Sequence, residues 1–443
     1  MKIDIKRFGI NGEGVGVIET AGELDKKVCF VSGALPDETV EVTIVDDKKN
    51  FAVCRLDKIL TKSKNRIEPK CPYFSKCGGC DLQHISNEAQ LEFKRNKVKE
   101  TLYKISKIDE QVDDTIRVND YAYRNKMVYP VVTRNGHAVV GMFENSSHRI
   151  VDIKQCLLCS NSINKIYKSI KEFIENSNFK GYDFRSKKGD IKYVVIREHS
   201  GQTLITIVSA KNIDIKPLYE HLHSIYNMVG LSLVISKDDN EIMSGKYIYI
   251  AGIQSLEIEE FGIKYQVDNR GFLQVNNELK TALYNEVLSH INEEDVVIDG
   301  YSGAGLMSAI IAKKCRQVIG IEINESASNS AKQLAINNNL INMKCITDNI
   351  KNSIGSVLQG LDKVVVVLDP ARSGCDSSVL ECLTTKDNLK KISKIIYVSC
   401  NPSTLARDLG VLKDYYIIES TTPWDMFPQT KHVETLVCLK NKL

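Results

Sequence analysis

Four cysteines carry most of the chemistry open to this sequence. Cys71, Cys77 and Cys80 lie in the run Cys71-Pro72-Tyr73-Phe74-Ser75-Lys76-Cys77-Gly78-Gly79-Cys80, a C-x5-C-x2-C spacing. Clustered thiolates with glycines between two of them read as metal ligation, which needs a fourth ligand. Cys156 and Cys159, in Val151-Asp152-Ile153-Lys154-Gln155-Cys156-Leu157-Leu158-Cys159, are the candidates, and zinc and a [4Fe–4S] cluster both fit four thiolates on spacing alone. Cys400 is different. It ends the β-branched run Ile395-Ile396-Tyr397-Val398-Ser399, where Asn401-Pro402-Ser403-Thr404 begins a helix. Active sites of open α/β sheets form at such strand tips. Helix N-terminal amides there are expected to lower the thiol pKa, which suggests a nucleophile.

A second constellation looks like a nucleoside site. Val297-Ile298-Asp299-Gly300-Tyr301-Ser302-Gly303-Ala304-Gly305 is a strand, a glycine-rich turn and a helix start. Its G-x-G lacks the third glycine of a dinucleotide fingerprint. The next strand ends in Glu322, placed to hold two ribose hydroxyls, so an adenosyl ligand without pyrophosphate fits and S-adenosylmethionine (SAM) is the natural candidate. A further strand ends Leu368-Asp369-Pro370-Ala371-Arg372, where Asp369 is either a ligand-side carboxylate or a helix N-cap with proline after it. Glu434 interrupts an apolar strand, Val433-Glu434-Thr435-Leu436-Val437. Buried and unpaired it would be costly, and the simpler reading is a strand-end surface residue.

The elements that must position these residues follow from periodicity. Residues 1–62 show short alternating runs (28–31, 38–44, 52–56) with a glycine-rich hairpin at 12–17, which predicts a small OB-type barrel. Residues 63–269 hold the cysteines, an amphipathic helix at 88–105 with Leu91, Val98, Leu102 and Ile105 on one stripe, and a mixed α+β pattern. Its strands fall near 127–132, 193–197 and 203–208, and a helix near 161–175. Helix 88–105 is expected to pack on the C-terminal domain. From 270 to 443 apolar strands alternate with helices, which predicts an α/β, Rossmann-like domain with a parallel sheet covered on both faces.

The chain has 443 residues, room for two or three domains, and no run of 18 apolar residues or apolar leader, so a cytoplasmic protein with no membrane partner is expected. Thirteen cysteines in such a protein argue for metal or catalysis over disulfides, with Cys29, Cys54, Cys345 and Cys438 read as small core residues. A net charge of +3 neither demands nor excludes nucleic acid.

The order of Phe272-Leu273-Gln274-Val275-Asn276, Asp299–Gly305, Asp369-Pro370-Ala371-Arg372, Ser399-Cys400-Asn401-Pro402 and His432-Val433-Glu434-Thr435 resembles the RNA 5-methyluridine methyltransferases, and within them the branch acting on 23S rRNA. The resemblance spans the whole chain, the N-terminal barrel being similar to a TRAM domain. It implies SAM-dependent methylation of uridine C5 in 23S rRNA, with Cys400 as nucleophile and Glu434 as general base. It implies that Gln274, Tyr301, Glu322 and Asp369 contact SAM or shape its pocket, with Asp348 or Asn349 near the adenine. It implies that Phe272 packs on the flipped uracil, with Gln274 and Asp369 also near the base. For the cysteine site it implies a [4Fe–4S] cluster on Cys71, Cys77, Cys80 and Cys156, in a structural or RNA-positioning role. RNA is the implied partner and a monomer the implied state. Two positions depart from the family pattern, Ala371 where a proline is usual and Leu306 where a polar residue is general. The alternatives are a non-catalytic RNA-binding Fe–S protein that keeps the fold, and a tRNA uridine C5-methyltransferase.

Overall fold

The computed structural model describes residues 1–19, 26–145, 147–239 and 241–443. The C-terminal part is built on a seven-stranded sheet, ordered Met343–Thr347, Gln317–Glu322, Val296–Gly300, Val364–Leu368, Ile392–Ser399, Glu434–Asn441, Tyr416–Trp424. The first five are parallel, and apart from the edge strand Met343–Thr347 their β-branched residues are buried on both faces by two apolar clusters. All seven expected strands are present, but the sheet is not wholly parallel. The last strand inserts antiparallel between Ile392–Ser399 and Tyr416–Trp424. A hairpin connection rather than a helical crossover precedes it, so it must reverse direction. The consequence is positional. Its first residue, Glu434, lies at the same sheet edge as the last residues of Ile392–Ser399.

The N-terminal strands Lys2–Phe8, Gly14–Val17, Val28–Val31, Thr39–Asp47 and Phe51–Thr61 form a closed barrel around Ile3, Ile5, Val31, Val40 and Ala52. Between barrel and C-terminal sheet in the sequence lies a six-stranded sheet, Lys246–Gly252, Val229–Ile235, Gln202–Ser209, Ile191–His199, Lys126–Arg134, His137–Val140, with helix Asn161–Glu175 against one face.

The helix Asn87–Ser106 is capped by Ser86, whose hydroxyl accepts from Ala89 N–H. Its buried face differs from the apolar stripe read in the sequence. Val98 and Leu102 are buried, but Leu91 is half-buried and Ile105 is exposed. Gln90 and Lys94 are buried instead, because polar partners wait for them across the interface: Lys94 pairs with Asp425, and Gln90 Nε2 donates to Gln429 Oε1 at 3.0 Å. The helix also lies against Pro402–Leu412, where Lys413 Nζ reaches Ser106 O at 2.6 Å. An apolarity pattern cannot see a buried ion pair.

Candidate functional site

The site begins at the edge where strand Ile392–Ser399 ends. Ser399 pairs with Thr435, so one step further Cys400 stands opposite Glu434, and directly opposed residues of antiparallel strands point to the same face. Glu434 is 6% exposed. Burial first, then the Asp369 charge, push its carboxyl up to about 8, opposed by the Arg372 guanidinium. A surface glutamate is therefore the wrong reading. Asp369 follows the neighbouring strand Val364–Leu368 and is raised by crowding of protein around it and by Asp299, although its side chain keeps open surface. It caps no helix, since the next helix, Ser377–Leu383, starts after Asp376.

Cys400 corrects an expectation. Its thiol pKa is raised, not lowered, by burial first, then by Glu434, with Arg372 pulling down and Asp369 adding to the rise. The helix Pro402–Leu412 gives it little help. Pro402 has no N–H, and Asn401 caps the helix by accepting from Ser403 N–H at 3.1 Å. Asn401 Nδ2 and Thr404 Oγ1 donate to Arg372 O at 3.0 and 3.2 Å, which ties the Asp369–Arg372 segment to the Cys400 turn. Arg372 thus acts on Cys400, Glu434 and His432 alike. Its place in the Asp369–Arg372 run was the available signal, but sequence reasoning gave it no role.

The glycine-rich turn lies two strands away on the same edge. Tyr301, Gly303 and Gly305 all have positive φ (74°, 54° and 83°), and a Cβ on Gly305 would fall 2.6 Å from Ala331 Cβ. Glu322 accepts from Gly303 N–H at 2.9 Å and Asn324 N–H at 2.7 Å, so the acid both shapes the turn and faces it. Asp299 is buried, bonded to the Ser308 hydroxyl, and raised to about 6, chiefly by burial. Tyr301 keeps its hydroxyl buried beside the Cys375 thiol. Asp348 donates its N–H to Glu322 O at 3.0 Å, and Asn349 caps the following helix.

Phe272 is 81% exposed, a large aromatic ring left in the open. Its loop is held from behind: Lys126 Nζ donates to Asn269 O, Arg197 Nη2 to Gly271 O at 2.6 Å, and Asn125 Nδ2 to Gln274 O at 2.8 Å. Phe272 and Leu306 border one cleft of about 780 Å3 beside helix Glu325–Asn337. Lys126 and the fully buried Arg197 were not singled out from sequence, and only the tertiary fold reveals what they hold.

Cys71, Cys77, Cys80 and Cys156 line a single cavity of about 250 Å3, larger than one metal ion needs. Gln83 Nε2 points at Cys80 Sγ from 3.2 Å. Cys159 is 2% exposed and is not among the residues lining that cavity; Tyr129 Oη lies 3.7 Å from its sulfur, and its thiol is hydrogen-bonded to that of Cys156. Among the described residues no three Cys, His, Asp or Glu groups form a ready site for a single metal ion.

Comparison with known proteins follows the same lines. A family model described as tRNA (uracil-5-)-methyltransferase matches residues 86–442, and a TRAM domain model matches residues 1–56. A Clostridium tetani protein described as an uncharacterized RNA methyltransferase is 36% identical, over 98% of this chain and 95% of its own. One of the same description from Listeria monocytogenes is 34% identical, over 99% and 97%. The crystal structure of a Pyrococcus abyssi tRNA (uracil-54, C5)-methyltransferase with S-adenosyl-L-homocysteine superposes with a TM-score of 0.78 at 24% identity, covering 99% of this chain and all of that one.

Proposed function

Since the chain belongs to the tRNA (uracil-5-)-methyltransferase family, we propose that it methylates C5 of a uridine in 23S rRNA through a covalent adduct on Cys400. The observation that carries this reading is the meeting of Cys400 and Glu434 on adjoining antiparallel strand ends, with Arg372 beside both.

The chemistry asks for such a pair. Uracil C5 is a poor nucleophile. When the Cys400 thiolate adds to C6, the S–C6 bond forms and the ring π electrons move to O4, so that negative charge reaches C5. SAM, when bound, supplies an electrophilic methyl whose bonding pair leaves with its sulfur. Glu434 then removes the C5 proton, the C5–H pair restores the C5–C6 double bond, and the thiolate departs. A carboxylate of pKa about 8 is a strong base at neutral pH, as proton abstraction from carbon demands. Arg372 offsets the burial that raises both groups. Gln274, Tyr301, Glu322 and Asp369 line the SAM side, Glu322 through oxygens already aimed at the turn, with Asp348 or Asn349 near the adenine. Phe272 offers a face on which the flipped base stacks.

The cysteine cavity suits a [4Fe–4S] cluster on Cys71, Cys77, Cys80 and Cys156, by donor type and by size. Its contribution is structural: it ties residues 71–80 to 156 and no step of the transfer runs through it.

A tRNA target is the second reading, because a full-length structural counterpart is named as a tRNA enzyme and the barrel therefore does not discriminate. The deciding experiment supplies SAM with unmodified 23S rRNA or with tRNA transcripts and maps 5-methyluridine. Product in 23S rRNA alone supports the proposal, product in tRNA alone moves the substrate, and no product in either ends the enzymatic reading. Cys400→Ala should bind SAM normally and give no turnover. Full activity in that variant would end the covalent route.

A further inference from the structure

The segment that delivers Glu434 has no regular structure and is nonetheless mostly buried. It runs from Asp425 to Val433, between strands Tyr416–Trp424 and Glu434–Asn441. A buried irregular segment must find partners for its backbone polar groups elsewhere. Here they come from residues 81–123. Lys94 Nζ donates to Phe427 O at 3.1 Å, Tyr123 Oη to Pro428 O at 3.1 Å, and Lys97 Nζ to Lys431 O at 2.8 Å. The N–H groups of Asp81 and Leu82 both donate to Gln429 O at 3.0 Å, and Asp81 Oδ2 accepts from Lys431 N–H at 3.2 Å. Asp425 is held by Lys94 and Arg117, and the Gln429 side chain by Gln90.

Two details single out the Asp81 contact. Gln429 has a φ of +68°, a left-handed conformation costly for a residue with a side chain. It persists where surrounding contacts over-determine it, and the paired N–H groups of Asp81 and Leu82 close on the carbonyl of that residue. Asp81 also directly follows Cys80, while Thr430 and His432, from the Glu434 side, line the same 250 Å3 cavity as the four cysteines. The cysteine turn and the Glu434 segment therefore share a wall.

We propose that Asp81 and Gln429 are positioning residues, through which the cysteine-bearing turn holds the Asp425–Val433 segment so that Glu434 faces the adduct on Cys400. This rests on the reading of Glu434 as the base. In that chemistry the base acts only after the S–C6 bond has formed. Loosening the segment therefore does not prevent addition and methyl transfer, but slows the release of the product.

The test is Asp81→Ala in the full-length holoprotein with the RNA that the native protein methylates. A small displacement of a reacting group costs tens of fold to about 100-fold in rate. The variant should lose turnover by that factor, show a KM for RNA that falls rather than rises because the slow step now follows adduct formation, and accumulate an SDS-stable, methylated protein–RNA adduct that the native protein does not build up. Its visible absorption spectrum should match the native one. Asp81→Asn, which keeps an acceptor for Lys431 N–H, should restore turnover and clear the adduct. Native-like turnover in Asp81→Ala, or lost turnover without adduct, overturns the proposal. Should Asp81→Ala fail to fold or change its absorption, Gln429→Ala decides by the same signature, supporting the proposal if adduct accumulates and overturning it if not. A native protein that neither methylates RNA nor forms adduct would instead end the reading of the chain as a covalent uridine methyltransferase, and a Glu434→Gln variant that cleared its adduct normally would refute Glu434 as base, both of which are different failures.

Discussion

Replacing Glu434 by glutamine should cost activity and raise stability, and the second effect has a definite pH signature. The Glu434 carboxyl is raised from 4.5 to about 8, by burial first and the Asp369 charge second, against Arg372. The unfolded chain ionises it near 4.5 while the folded protein resists ionisation. Stability from the neutral carboxyl is thus full below about pH 4.5 and is lost progressively as pH rises to about 8. A displacement of that size is worth about 5 kcal/mol as an upper value. Glutamine is nearly isosteric and cannot ionise. The stability gain of Glu434→Gln over the native protein should therefore be small at pH 5.5 and grow to a few kcal/mol at pH 9, read as urea midpoints at the two pH values. The same carboxyl is only about one-tenth ionised at pH 7, so clearance of the methylated adduct in a single turnover, the step Glu434 performs, should speed up about tenfold between pH 6 and 7 and level off above pH 8. A midpoint gap equal at both pH values, or clearance flat from pH 6 to 8, would refute the buried, proton-holding carboxyl.

Phe272→Ala should leave unfolding free energy within about 0.5 kcal/mol, since the ring is 81% exposed, yet raise KM for RNA about tenfold, because base–aromatic stacking is worth about 1–3 kcal/mol. An unchanged KM would remove it from the RNA site. Glu322→Gln, which keeps an acceptor for the turn, should weaken SAM binding about 10- to 100-fold by calorimetry if the acid holds the ribose. Equal affinity would leave it a purely structural residue. Lys94→Met removes one partner of a fully buried pair with Asp425 and should destabilise the protein by about 3 kcal/mol in urea titrations. A change under 0.5 kcal/mol would mean that Arg117 alone suffices for Asp425.

Much of this protein is local in origin, and the sequence by itself determined it. Period-two runs in the first sixty residues became a closed barrel, and apolar β-branched runs after residue 270 became seven strands, because side-chain alternation and burial on two faces are properties of neighbouring residues. The glycine turn was legible for the same reason, as positive φ at Gly303 and Gly305 is a local demand. Cys400 at a strand tip and three thiols at C-x5-C-x2-C spacing were visible as chemistry. What those groups experience was not. The rise in the Cys400 pKa comes from burial first and then from Glu434 and Asp369, 34 and 31 positions away in the chain. Glu434 read as a surface residue until the reversed last strand brought it into the sheet edge. Lys94 and Gln90 spoil an apolar stripe until Asp425 and Gln429 face them. Cys156 and Cys159 are equivalent in spacing, and only the fold turns one toward the cavity and the other toward Tyr129. Electrostatics and buried polar pairing depend on which segments meet in space, and that is decided by strand order and direction, so only the tertiary structure could settle them.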